Sequence, residues 1–238
     1  NLSVLRSIFT NNSAENGGGA YILSEAFIGT CFFHDNQANA EGGGLYAGVN
    51  SNLTVQRSIF TSNNAPHGGG IKTGGSADVQ RSLFTGNGSN YGGGINATGG
   101  ILEVSKGLFN INNGVTAGGG IFAGAGCVLS VDSVVFLKNY TEIRGGAIAA
   151  DNAEASLTLC LFSKNSARYG GAVHSDNGSK IDVAQCVSRN NFAGTNGAGF
   201  YFANGLKHTI INCTFSADTA TSNGGAIANY NDNTVIAN

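Results

Sequence analysis

Asp78 and Glu103 are carboxylates 25 residues apart, and Arg57, Arg81 and Lys106 recur at a matching interval. Paired acids beside bases are what general acid–base catalysis needs, and a row of bases is what an anionic glycan needs. Thr54, Asp78 and Glu103 hold equivalent places in successive segments, continued by Ser130, and the bases come three residues later with Arg6 below them. Acids held one segment apart perturb each other's titration. No His falls in either series, so nothing supplies a strong general acid and no catalytic residue is assigned. The charges then decorate a solvated face, or Arg57, Arg81 and Lys106 form a patch for an anionic glycan or partner. The four His (His34, His67, His174 and His208) share no series and are expected in turns or at the surface. They make no metal set, and no metal or cofactor is expected. Tyr21, Tyr46, Lys72, Phe122, His174 and Tyr201 form an interrupted series. Its rings suit sugar stacking, or packing beneath a loop.

The element that positions these residues is a repeat. Gly17-Gly18-Gly19 could pass for a phosphate loop, but the same glycine word begins again at Gly42, Gly68, Gly92, Gly118, Gly145, Gly170, Gly197 and Gly224. A phosphate loop occurs once, between a strand and a helix. Eight to ten residues before each glycine word stands Phe-x-x-Asn or a variant. The Phe series is Phe9, Phe33, Phe60, Phe84, Phe109, Phe136, Phe162 and Phe215, with Val187 in the eighth copy. The Asn series is Asn12, Asn36, Asn63, Asn87, Asn112, Asn139, Asn165 and Asn190, with Asp218 in the ninth.

A period near 26 residues is too short for paired-helix repeats, and the apolar stretches are short and alternate as strands do. The pattern predicts an all-β chain: a right-handed parallel β-helix of about nine coils, forming one domain over 1–238. At the usual strand spacing it would be on the order of 43 Å long. The Phe series becomes a core stack, and the Asn series a hydrogen-bonded ladder at a bend. Small residues follow each Asn by two, with Phe192 as the exception. Cys31, Cys160 and Cys213 precede a Phe by two; Cys186 lies near that place, in a repeat that reads one residue short. They are expected as small buried residues, with a Cys160–Cys186 or Cys186–Cys213 disulfide as the alternative. Cys127 is expected in a loop.

Charged residues are only 11% of the chain and the net charge is −2, which gives no global attraction to nucleic acid. No apolar run is long enough to span a membrane, so direct insertion is not expected. Of eight Asn-x-Ser/Thr sequons, Asn52 and Asn177 fall in expected exposed turns and are the candidate glycosylation sites.

The tandem pairing of GGA[ILV]-like words with FxxN resembles the polymorphic outer membrane protein repeat of chlamydial surface proteins, over essentially the whole chain. The first five copies depart from it by favouring GGG. The resemblance implies a β-helix of the autotransporter-passenger sort, secreted or on the cell surface, with a structural or adhesive role. Its partners would be other protein chains, adjacent solenoid segments and cell-surface glycans. Neither end carries a cap motif, which suggests a piece of a longer solenoid or a subunit stacking end to end. The competing expectation is a carbohydrate-active enzyme, a polysaccharide lyase or uronate epimerase.

Overall fold

The computed structural model describes residues 1–204, 206–230 and 234–237. They form a parallel β-solenoid of about nine turns, with no helix among them. One coil shows how the words act. Strand Ser76–Gln80 buries Ala77 and Val79, the chain bends at Arg81, and strand Leu83–Thr85 buries Phe84. It bends again at Gly86, passes buried Asn87, runs through Gly88–Tyr91, bends at Gly92 and closes with Ile95–Thr98. Stacked coils make a ten-stranded first sheet (Leu2–Leu5 to Val235–Ala237) and a nine-stranded second sheet (Ile8–Thr10 to Thr214–Ser216). The short third sheet is split in the coil holding Pro66, the sole proline, which has no N–H to give a ladder. A nine-stranded fourth sheet (Ala20–Ile22 to Ile227–Asn229) completes the wall.

The bends between the first and second sheets, and between the second and third, are single residues at positive φ. The first series, Arg6 through Asn212, spans φ 48 to 57° with no glycine in it. Each such residue costs on the order of 1–2 kcal/mol relative to ordinary backbone. It keeps its hydrogen bond to the next coil, as Arg57 N–H does to Gln80 O at 3.0 Å.

The asparagines lie just inside the second bend. Asn112 Oδ1 accepts both the backbone N–H and the side-chain amide of Asn87, at 3.1 and 2.9 Å. Asn112 Nδ2 donates to Asn139 Oδ1 and to Phe84 O. The same set runs from Asn12 through Asn36, Asn63, Asn87, Asn112, Asn139 and Asn165. Rings Phe9 to Phe162 stack nearly parallel, with centroids 4.5 to 5.2 Å apart.

The eighth coil corrects the expected register by one residue. Asn190 is exposed at the bend (φ 55°), and Asn191 takes the ladder place, accepting from Asn165. Ser188, not Val187, pairs with Phe162 and Phe215. Cys186 therefore sits in its column and no residue is missing. Ala193 likewise replaces Phe192 in the small series; Phe192 points out, 44% exposed. The absent ring is supplied from the opposite wall: Phe200 meets Phe162 and Phe215 edge-on, at 5.8 and 5.0 Å.

All five cysteines are free thiols, and Cys127, expected in a loop, is fully buried in the core. His174 and His208, expected at the surface, are also buried.

Replacing Asn112 by Leu strands the Asn87 N–H and amide and the Phe84 carbonyl. It should cost about 1–3 kcal/mol in urea unfolding, and an unchanged midpoint would mean the amides bear no load. Ser188→Phe crowds Phe200 and should destabilise by about 1–3 kcal/mol. Adding Phe200→Ile should recover most of that loss, and additive losses would contradict the compensation.

Candidate functional site

The two positive-φ bends frame the outer face of the second sheet, and their backbone geometry throws side chains outward along both rims. Arg6, Arg57, Arg81 and Lys106 stand on one rim, and Lys138 and Lys164 on the other. All six are exposed, as is Arg189 on the sheet between. This face thus carries seven of the chain's twelve Lys and Arg residues. Among the described residues its one acid is Asp35, which pairs with His34 at 2.9 Å. None of the seven bases forms an ion pair with a described residue. Arg57, Arg81 and Lys106 therefore occupy the bend beyond the first-sheet strands, not the strands themselves.

Between the rims runs a column no catalytic reading required. Ile8, Phe32, Ile59, Leu83, Leu108, Val135, Leu161 and Val187 are paired strand to strand through eight coils and all point outward. Ile8, Ile59 and Val187 are 71%, 38% and 36% exposed, and the others are half-buried against their neighbours. Its signal in the sequence is the apolar residue one place before each core Phe from Phe9 to Phe162, and before Ser188 in the eighth coil.

The acids lie around the bend. Asp78 and Glu103 pair directly across two first-sheet strands, and Asp78 accepts from Gln80 Nε2 at 2.7 Å. No ion pair links them to the rim bases among the described residues. Asn52 opens the strand Asn52–Gln56 and is exposed there, not in the turn expected for it. Asn177 is exposed in a turn at φ 50°, its amide on Asp151 Oδ1 at 2.8 Å.

A second feature follows the glycines. At Gly197 (φ 64°) a Cβ would come within 2.9 Å of the outward Tyr201 Cβ, so the bend is a bare concave floor between two banks of side chains. The tyrosine series looked interrupted because its rings come from both banks. His67 and Tyr91, from the near bank, stack at 5.4 Å where the far bank has Lys72 and Asn96. A groove of about 380 Å³ lies here, and Glu41 also faces it. Lys72 is only 5% exposed, and its amine is held by Asn96 Oδ1, Thr98 Oγ1 and the Thr73 carbonyl. Burial lowers its pKa, against the opposing pull of Glu41. Further along, Arg144 bridges Asp151 and Asp176 at 3.5 and 3.7 Å, so the two carboxylates share one positive charge. No group of three metal-ligating side chains occurs among the described residues.

Burial drives the His174 pKa down to about 3, helped by Arg144 and opposed by Asp176, and that of His208 down to about 4, opposed by Asp182. Unfolded imidazoles titrate near 6.5. Below that pH the unfolded chain binds protons the folded chain refuses, so stability falls as pH drops from about 6.5 towards 4. At pH 5 each His should cost about 2 kcal/mol relative to pH 7.5. Urea midpoints at the two pH values should converge in a His174→Gln/His208→Gln double variant; a drop as large as the parent's would exclude these residues as the cause.

Residues 6–22 and 159–176 match the Chlamydia polymorphic membrane protein (Chlamydia_PMP) repeat. Each match runs from the first bend, through the core Phe and the ladder Asn, to the strand after the glycines. No curated protein and no solved structure is significantly similar to the chain. The coils between the two matches share their bends, ladder and glycine floor, so the chain is a parallel β-solenoid in which two coils are similar to that repeat.

Proposed function

We propose that this chain is a non-catalytic, extracellular scaffold of a cell-surface protein, and that it adheres through its outer faces. The observation that carries the reading is the basic face of the second sheet. Seven bases, none of them in an ion pair with a described residue, gather on one wall of a chain whose net charge is −2. A catalytic site would converge acids and bases on one point. Here no ion pair among the described residues joins Asp78 or Glu103 to the rim bases, and Asp151 and Asp176 share the Arg144 guanidinium. Inside, most coils repeat the same ladder amide and core ring, so coils differ mainly in what they display. Arg57, Arg81 and Lys106 would meet anionic groups of a glycan or protein partner. Neighbouring solenoid segments would stack on the open strand edges, and Asn52 and Asn177 would carry sugar in a eukaryotic secretory pathway.

Beads coated with the chain should attach to cultured cells in a salt-sensitive manner. The Arg57→Gln/Arg81→Gln/Lys106→Gln variant should attach several-fold less, while uronate polymers incubated with the chain should yield no unsaturated products. Unsaturated products would establish a lyase, and attachment indifferent to salt and to the variant would remove the basic face from adhesion.

A further inference from the structure

The seven bases explain attraction to an anion, but not the eight apolar residues between them. A polyanion such as a sulfated glycan meets bases alone and gains nothing from a central row of Ile, Leu and Val. The outward column covers seven coil steps, roughly 34 Å at strand spacing, with bases on one rim in coils one, three, four and five and on the other rim in coils six and seven. Scattered apolar residues on a surface are ordinary, but a continuous row marks an interaction site. A strip that is apolar along its centre and bordered by bases, on one edge in the early coils and on the other in the later ones, matches an amphiphile layer, with acyl chains against the strip and headgroup anions against the bases.

We propose that the outer face of the second sheet docks on an anionic lipid surface, lying along it without inserting a segment. The proposal rests on the adhesive reading of the basic face and names its counterpart. Geometry sets the docking: Ile59, Leu83 and Leu108 reach the interface, while Arg57, Arg81 and Lys106 pair with headgroup phosphates beside them. Asp35 is held by His34 at one end of the face and leaves the centre free of acids. An acidic polypeptide is the rival occupant, since it offers charge and apolar side chains together. A lipid layer is favoured because the apolar column runs unbroken through eight coils, longer than a few anchoring side chains need, and bases border it first along one rim and then along the other.

The chain should co-sediment with vesicles of phosphatidylcholine containing 30% phosphatidylglycerol, and not with phosphatidylcholine alone. Raising salt from 50 to 500 mM should release it. Arg57→Gln/Arg81→Gln/Lys106→Gln should weaken binding at least tenfold. Leu83→Ser/Leu108→Ser, both on the outer face, should weaken it at least threefold at unchanged charge, with the far-ultraviolet spectrum and urea midpoint as folding controls. A loss confined to the charge variant would reduce the face to a polyanion patch and overturn the lipid assignment. Binding to heparin or acidic peptides without any to vesicles would overturn it too. Vesicle binding with no bead attachment would instead sink the adhesive reading and leave this proposal standing. Attachment without vesicle binding would do the reverse.

Discussion

The amide ladder sets the register on which every other feature depends. Each asparagine oxygen takes two hydrogen bonds from the coil before it, and each amide nitrogen gives one forward and one back. Those four bonds fix the rise, the rotation and the phase of successive coils together. A slip of one residue would turn every outward side chain inward. Buried amides tolerate no such slip, because an unpaired one costs about as much as a lost hydrogen bond. All ladder dipoles point one way along the axis, so neighbouring bonds polarise one another. The strained bends persist because this register holds them: Ile111 and Thr30, both β-branched, keep φ near 55°.

The two departures from the pattern are a coupled pair. Asp218 replaces the ladder amide in the ninth coil and accepts from Asn191 N–H and Nδ2, both at 2.8 Å. It has no amide hydrogen to pass on, and burial raises its pKa despite these bonds. Its second oxygen is satisfied by the Ser188 hydroxyl at 2.8 Å. Ser188 stands where a phenylalanine would be and could offer no hydroxyl otherwise. Phe200 then crosses from the fourth sheet to fill the volume. One polar exchange in the ladder thus draws a serine into the ring stack and a ring into the opposite wall.

That coupling explains what could be read from the amino acids alone. Bend, ring and amide recur at fixed offsets and the glycine word follows the amide by five or six residues, so the solenoid and most of its columns follow from spacing. The eighth coil misled because alignment rested on a phenylalanine, and Val187 is apolar while Ser188 is not. Only the ninth coil, through Asp218, makes Ser188 the sensible core residue. His174 and His208 read as surface residues because a single imidazole carries no periodic signal, and burial depends on neighbouring coils. His208 is covered by Phe202, stacked on it at 4.3 Å, where most coils have a small residue. The bases were legible as a column but not as a face, since Lys138 and Lys164 belong to a different bend.

Division of labour between the walls follows from the same physics. Inward positions are fixed by ladder and stack, so variation is tolerated only where side chains leave the solenoid. The bends are the freest of these places, because positive φ points the side chain away from both adjoining sheets. Arginine, lysine, serine, leucine and asparagine all occur there. A chain built this way can gather charge on one wall with little effect on its core. Yet the apolar column beside the bends lies on a strand, where exposed aliphatics invite association and are usually broken up. Its continuity through eight coils is therefore a cost carried by the free molecule, and that cost is removed when a complementary surface covers the wall.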